Sequence, residues 1–421
     1  MSGAMARSPR KRRLVSLALA LAAALGATTT HAQSIHGRVE IQETGSFARD
    51  DSLDATLGAK DRNDVLGNIR FTWEPSHDHW SAQIHYVATL QYGDSVRLGR
   101  AESGLLPNPP STLFDLSDTF ADHGQVVGEH RLDRLSLAYS TPNVVVRVGR
   151  QALSWGSGLV FRPMDLFDPF SPSATDTEYK PGADMVYVQR LFADGSDIQF
   201  IVVPRVPRRG AGPTSDASSM ALHLHTSLLG HQTTLLVARD HGDWVSAAGI
   251  NGALGGATWN LEIVPTFLNT GGTRVSAIAN ISHSTTLFHR NATLFAEYFH
   301  NGFGVGSDRF DLASLPPELT DRLTRGQLFS TRRDFISAGM TLEVSPLLNV
   351  SPTLIANLND GSLFLLAAAT WSLGDNLTLV AGAQAPIGPS RTEFGGLPLA
   401  PASGVFLAPP ARLYVQLRRY F

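Results

Sequence analysis

The chain has 421 residues, of which 43% are hydrophobic, and contains no cysteine. That last fact excludes a lipidated N-terminus, thiolate metal sites, covalently attached haem and a disulfide framework. Its 34 basic residues, less the five of a basic leader, leave 29 against 37 acidic ones; the resulting charge of −8 argues against a nucleic-acid partner.

In chain order, Arg7, Arg10, Lys11, Arg12 and Arg13 precede an apolar run from Leu14 to Leu25, and Thr30, His31 and Ala32 supply a small-x-small site. This pattern predicts a secretory signal over 1–32, too short for a lasting membrane span, with the mature chain starting near Gln33. Downstream no stretch of 18 apolar residues occurs, and the longest candidate, Leu363 to Trp371, has the length of a strand. An exported chain of this kind is periplasmic, secreted or an outer-membrane barrel.

The rhythm of strands favours the barrel. Ile35, Val39 and Ile41 alternate with His36, Arg38 and Glu40, and Ile69, Phe71 and Trp73 with Arg70, Thr72 and Glu74. Trp80, Ala82, Ile84, Tyr86, Ala88 and Leu90 continue the two-residue period, the mark of a strand with one apolar face. Similar segments recur to the C-terminus, giving roughly 18 strands, an even number as single-chain bacterial barrels require. The connections sort by end. Short turns fall near 75–78, 141–142, 193–195, 229–230, 251–255 and 374–375, whereas 44–63, 93–129, 152–183, 205–218, 301–333 and 385–410 lie at the opposite end, most of them long. Short periplasmic turns and long extracellular loops are the pattern of an outer-membrane barrel. Trp73, Trp80, Tyr139, Trp259, Trp371 and Phe421 fall at the short-turn ends, and Tyr92, Trp244 and Tyr298 at the other, as interfacial aromatic girdles would. The last strand carries Leu413, Val415, Leu417 and Phe421 on one face and resembles the carboxy-terminal recognition strand of bacterial outer-membrane proteins. Arg419 would point to lipid close to the interface, at a cost of only about 0–1 kcal/mol. In 301–333, Ser314, Pro316, Pro317 and Gly326 bracket a short helix.

If apolar residues face lipid, the opposite parity lines the lumen. Arg38, Arg70, Arg134, Arg147, Arg412 and Arg418 then form a basic wall, interrupted by Glu40 and Glu74, and Glu262, Glu297 and Glu343 an acidic wall across from it. This arrangement reads either as a transverse field that draws anions or as a generic polar lumen. The long loop 152–183 carries the anchors Trp155, Phe161, Phe167, Phe170 and Tyr179, with Pro163, Pro169, Pro172 and Pro181 blocking regular pairing. Folded into or over the lumen, it would place Trp155, Arg162, Asp165, Asp168, Asp176 and Glu178 at a constriction; the alternative is a lid or contact outside the barrel. Parity sets Arg150 on the outer face near the rim, where lipopolysaccharide phosphate is a possible partner.

Gly149, Arg150, Gln151, Leu153, Trp155, Gly156 and Gly158, then Asp165, Leu166, Asp168, Pro169, Phe170, and Glu178, Tyr179, Lys180, Pro181, Gly182, resemble a motif of poorly characterised bacterial outer-membrane barrels, related in shape to porin-like and alginate-export-type proteins. The resemblance implies fold, location and solute permeation, and no particular substrate. Other signals are thinner. Phe299 to Gly304 faintly resembles a loop of outer-membrane phospholipases, and His225 with Ser227 forms an H-x-S, but nothing ties the two together. His223 with His225, and His77 with Asp78 and His79, are explained by a polar lumen and a turn as readily as by a metal.

The sequence therefore predicts an all-β, single transmembrane antiparallel barrel in the bacterial outer membrane, without catalytic residues, metal or cofactor. Its expected partners are lipid, lipopolysaccharide and small polar solutes, with oligomerisation open. The expected role is passive diffusion of small polar or anionic solutes. The alternatives are a non-conducting barrel that exports or docks a surface polymer, and uptake of an apolar solute, to which Leu105, Leu106, Leu113 and Phe114 point.

Overall fold

The computed structural model describes residues 35–102, 111–208, 210–306, 311–400 and 403–421; the signal segment and Leu105 and Leu106 lie outside them. Eighteen long antiparallel strands form the wall. They are β1 His36–Phe47, β2 Asp61–Trp73, β3 Trp80–Gly93, β4 Val126–Ser140, β5 Val144–Gln151, β6 Ala183–Leu191, β7 Asp197–Val203, β8 Ser219–Leu228 and β9 His231–Asp240. The second half comprises β10 Asp243–Leu254, β11 Ala257–Phe267, β12 Thr273–Leu287, β13 Arg290–His300, β14 Asp334–Ser345, β15 Leu348–Asn357, β16 Leu363–Gly374, β17 Leu377–Ile387 and β18 Ala411–Tyr420. Each pairs with its neighbours in sequence, and β1 pairs with both β2 and β18, so the sheet closes and leaves no edge along its length. Among the described residues no helix is long and apolar enough to cross a membrane.

The strands form where period-two alternation lets one face meet an apolar exterior. Phe200 is 40% exposed while the adjacent Ile201 is 0%, and Leu235 is 45% exposed beside Leu236 at 1%. Trp80, Trp371 and Phe421 are exposed at the short-turn end, and Tyr92, Trp244 and Tyr298 at the other. The terminal Phe421 ring packs edge-on to Phe71 at 5.7 Å. It closes over Gly37, where an added Cβ would lie 2.3 Å from the Phe421 ring and 2.5 Å from the Arg70 carbonyl oxygen, so only glycine fits.

Two expectations are corrected in extent. Strand β1 runs to Phe47 and β2 starts at Asp61, so the expected loop 44–63 shortens at both ends. The expected loop 93–129 is partly ordered: helix Asp94–Glu102 follows β3, and the short strand Ser117–His123 pairs with the outer half of β4. Within 301–333, helix Pro317–Thr324 forms with proline at its first turn and Gly326 just beyond its end. Its Arg322 donates to Asp243 at 3.0 Å and lies 4.2 Å from the Phe303 ring, pinning the helix to β10.

Register sets up the polar interior. Tyr86 pairs with Leu132 and His85 with Arg134, so Asp133 is the extra residue of a β-bulge. Both Asp133 and Arg134 are consequently buried.

Candidate functional site

Segment 152–182, between β5 and β6, contacts opposite walls of the barrel. On one side its anchors are apolar. Trp155, Met164, Leu166 and Phe167 pack with inward residues of β6 to β11, among them Met185, Ile201, Leu236, Val245 and Val264. Phe161 stacks on Phe299 at 4.4 Å and lies 5.3 Å from Phe335, in a second cluster with Ile278, Ile355 and Phe364. Trp155 stacks flat on His223 at 4.8 Å, and its Nε1 donates to Gln199 Oε1 at 3.0 Å.

Two acids of the expected acidic wall bind this segment's backbone. Glu297, 1% exposed, accepts from the backbone N–H of Leu159 at 2.6 Å, Val160 at 3.1 Å and Phe161 at 2.8 Å, and from Asn280 Nδ2 at 3.2 Å. Glu262 accepts from the N–H of Ser157. The turn that aims these donors needs Gly158: a Cβ there would fall 1.7 Å from the Phe161 carbonyl oxygen. Glu343 stands apart, half-buried and accepting from Asn291 at 2.8 Å in a solvent-exposed bond.

The segment braces itself through Lys180, whose Nζ donates to both Asp165 oxygens at 2.7 Å, to Leu153 O at 2.5 Å and to Ser154 Oγ at 3.0 Å. Burial raises the Asp165 carboxyl and lowers the Lys180 amine, and it outweighs their mutual attraction. Arg162 donates to Gly158 O at 3.3 Å and lies 6.0 Å from the Phe170 ring, while Asp168 sits at φ 51 within electrostatic range of Lys180.

On the opposite side the contacts are ionic. Arg38, 2% exposed, donates to Asp176 at 2.5 Å and Glu178 at 2.7 Å, with Glu40 at 3.3 Å. Arg418 donates to Glu40 at 2.9 Å and lies 3.6 Å from Asp176, and the Tyr420 hydroxyl donates to Glu178 at 2.8 Å. The Tyr179 ring takes Arg38 at 5.0 Å and Arg70 at 4.1 Å. Arg70 is also 2.9 Å from the bulged Asp133, and Arg134 donates to the Lys180 carbonyl. For Asp176, burial acts to raise the carboxyl, but the hydrogen bond and charge of Arg38 outweigh it and hold it below the usual carboxylate value.

Of the basic residues expected on one wall, four thus hold the segment or the bulge beside it. Arg147 lies apart on β5, half-buried with its Nε unpartnered, and Arg412 lines a different cavity. The idea of two bare walls of opposite charge is revised accordingly: Arg38, Arg70, Arg134 and Arg418 face acids or loop carbonyls, and Glu262 and Glu297 face loop N–H groups.

Arg150 also differs from expectation. It has the outward parity of Val148, yet it is 6% exposed, because Asp184 takes its Nε and Nη2 at 2.9 Å and Phe114 O covers it. A lipid phosphate cannot reach it.

A cavity of about 400 Å³ remains between loop residues Ser171 to Thr175 and the wall of β1, β2, β3 and β18. Arg62, Asp64, Gln42 and Tyr414 line it, and parity counted back from Arg70, on from Arg38 and on from Arg412 would have found them. Asn280 and Gln199, which brace the loop, carry no comparable sequence signal. Elsewhere, His300 contacts Asp334 at 2.7 Å and Asn301 binds the carbonyls of Ser330 and Arg332. Among the described residues no group of three or more His, Cys, Asp or Glu is placed to hold a metal.

No family model matches this sequence. No curated protein matches it either. Solved structures do share the fold. Pseudomonas aeruginosa OccK11 (OpdR) superposes with a TM-score of 0.54 at 8% identity, covering 92% of this chain and 95% of that one. Pseudomonas aeruginosa OccK5 (OpdH) gives 0.53 at 10% identity over 92% and 98% of the two chains. A BenF-like porin from Pseudomonas fluorescens Pf-5 gives 0.51 at 10% identity over 92% and 98%. The architecture is that of a porin-like β-barrel.

Proposed function

We propose that the protein is a passive outer-membrane channel for small polar solutes, anions included, narrowed by segment 152–182. The observation that carries this reading is the polar, arginine-bearing cavity left inside a barrel whose outer face is apolar. A water-filled lumen needs polar walls, and a lipid-facing band needs apolar ones. The porin-like neighbours fit the same reading by fold analogy. Because the segment engages both walls, the channel is narrow, and selection falls on the solute path beside Ser171 to Thr175. In this reading Arg412 is the pore-lining member of the basic set, Asp176 and Glu178 hold the constriction in place, and lipid and lipopolysaccharide surround the barrel.

That wall-to-wall contact also favours a second reading, a closed barrel for polymer export or docking of the alginate-export type. Planar-bilayer recording of the purified protein under a salt gradient separates the two. Small, steady steps with a reversal potential on the anion side are expected of the channel. Silence from a barrel shown to be folded would overturn it in favour of the second reading.

A further inference from the structure

At the long-loop end of β12 and β13 the wall frames an open groove of about 710 Å³. Register fixes which way it faces. Its residues Thr273 and Val275 share the parity of Ile281, and its His300 that of Tyr298, two side chains exposed on the apolar exterior. The groove therefore opens on the outer flank, just beyond the girdle ring of Tyr298. The chain beyond β13 floors it with Gly302, Gly304 and Gly306. A Cβ at Gly302 would lie 2.3 Å from the Val275 carbonyl oxygen, and one at Gly304 2.2 Å from that of Arg332, so only glycine fits at those two positions. Two polar groups stand over this floor. His300 is held through Nδ1 by Asp334 at 2.7 Å, and Asp334 is itself fixed by the Tyr298 hydroxyl at 2.8 Å and Asn359 Nδ2 at 3.1 Å. The imidazole is thereby oriented, and its Nε2 meets no described residue. Arg333 is exposed, reaches Gly304 O at 3.3 Å, and pairs with no carboxylate among the described residues. Gly306 leaves it room, since a Cβ there would come within 3.4 Å of its Nη1. Arg274, by contrast, is neutralised by Glu318 at 2.6 Å.

One open guanidinium fork beside one oriented imidazole matches a single anionic group. A carboxylate would spend both oxygens on Arg333 and leave His300 unmet, whereas a phosphate monoester has a third oxygen for Nε2. Its titratable proton is shared with that nitrogen: either the P–OH donates to neutral imidazole, or imidazolium donates to the ionised oxygen. Sharing keeps the charge on the phosphate low, with Arg333 in front and Asp334 behind the ring. A soluble phosphate would leave the apolar flank of Val275 and Ile281 unused, but a glycolipid of the outer leaflet lays acyl chains along it. We propose that the groove seats a phosphate of lipopolysaccharide between Arg333 and His300, with the acyl chains running down the outer faces of β12 and β13. This docking is independent of whether the barrel conducts.

The test is native mass spectrometry of the detergent-solubilised barrel titrated with diphosphoryl lipid A and with the same lipid stripped of its phosphates, inorganic phosphate serving as competitor. Wild type is compared with Arg333→Gln, His300→Gln and, as a control, Arg419→Gln, which removes an exposed arginine at the opposite end of the barrel. Heat-modifiable gel migration verifies that each variant is folded. Wild type should hold diphosphoryl lipid A at least tenfold tighter than the stripped lipid. Arg333→Gln should erase most of that preference, His300→Gln should weaken it severalfold, and Arg419→Gln should leave it intact. Equal binding of the two lipids, or a preference indifferent to Arg333→Gln or to His300→Gln, overturns the proposal. Equal losses in Arg333→Gln and Arg419→Gln mean unspecific surface charge and overturn it as well. Displacement of lipid A by equimolar inorganic phosphate means a site for soluble phosphate, which overturns the lipid assignment.

Discussion

The two anchorages of segment 152–182 are built from opposite chemistries. On the side of β6 to β16, aromatic and aliphatic side chains interlock, and Glu297 and Glu262 satisfy loop N–H groups. On the side of β1, β2 and β18, Arg38 and Arg418 hold Asp176 and Glu178, which keep 25% and 31% side-chain exposure. Apolar packing and buried hydrogen bonds answer weakly to salt, whereas a partly solvated ion-pair cluster is screened by it. The first anchorage fixes the segment, and the second sets how tightly it closes on the opposite wall.

Glu297→Ala should separate the anchorages most clearly. It takes the acceptor from the N–H groups of Leu159, Val160 and Phe161, at about 1–3 kcal/mol for the buried Phe161 N–H and less for the two part-buried ones, so the thermal transition should fall and conductance should become unsteady. Phe161→Ala removes a ring stacked between Phe299 and Phe335 and should cost about 3–5 kcal/mol, visible as a lowered thermal transition. Arg38→Met attacks the other side. Removing one partner of a buried pair costs about 3–5 kcal/mol, and solvent at Asp176 and Glu178 reduces that to roughly 2. Barrel melting should change little, while single-channel conductance rises and loses selectivity.

Much of the architecture was legible because strand alternation and the sorting of loops by length are direct consequences of a lipid exterior. The polar anchorage was half legible: parity placed Arg38 and Arg418 inward, and of the four acids expected to oppose them, Asp165, Asp168, Asp176 and Glu178, the last two meet them while Asp165 pairs with Lys180. The apolar anchorage was hidden by the rule that apolar residues face lipid. Ile201, Leu236, Val264, Phe335 and Phe364 all point inward, each beside an outward apolar neighbour such as Phe200, Leu235, Ile263, Ile336 or Leu365. Strands apolar on both faces were the available signal that the lumen there is filled by protein. Arg62 and Asp64 were missed because β2 extends further toward the long loops than its clearest alternation, Ile69 to Trp73. Arg150 was given the right parity and the wrong environment, since the Phe114 segment that covers it has no periodicity to read.

Acid sharpens the contrast at lower amplitude. The Asp176 carboxyl is held below its usual value, so its contribution is present above the unfolded pKa of about 3.9 and is lost as pH falls through the lower folded value. The part of the acid response in conductance that Asp176 carries should appear only below about 4, and Asp176→Asn should remove that part. Trp155→Phe keeps the ring against His223 but loses the bond to Gln199, a change of about 0.5–1.5 kcal/mol in thermal stability with conductance unaltered.

Hydrogen exchange of the Leu159, Val160 and Phe161 amides, measured by mass spectrometry on the barrel in lipid nanodiscs, tests the wall-to-wall segment most directly. Bound to Glu297 inside the barrel, these amides should exchange as slowly as those of β13 in wild type and much faster in Glu297→Gln. Exchange at the rate of an open surface loop in the wild-type protein would contradict the account.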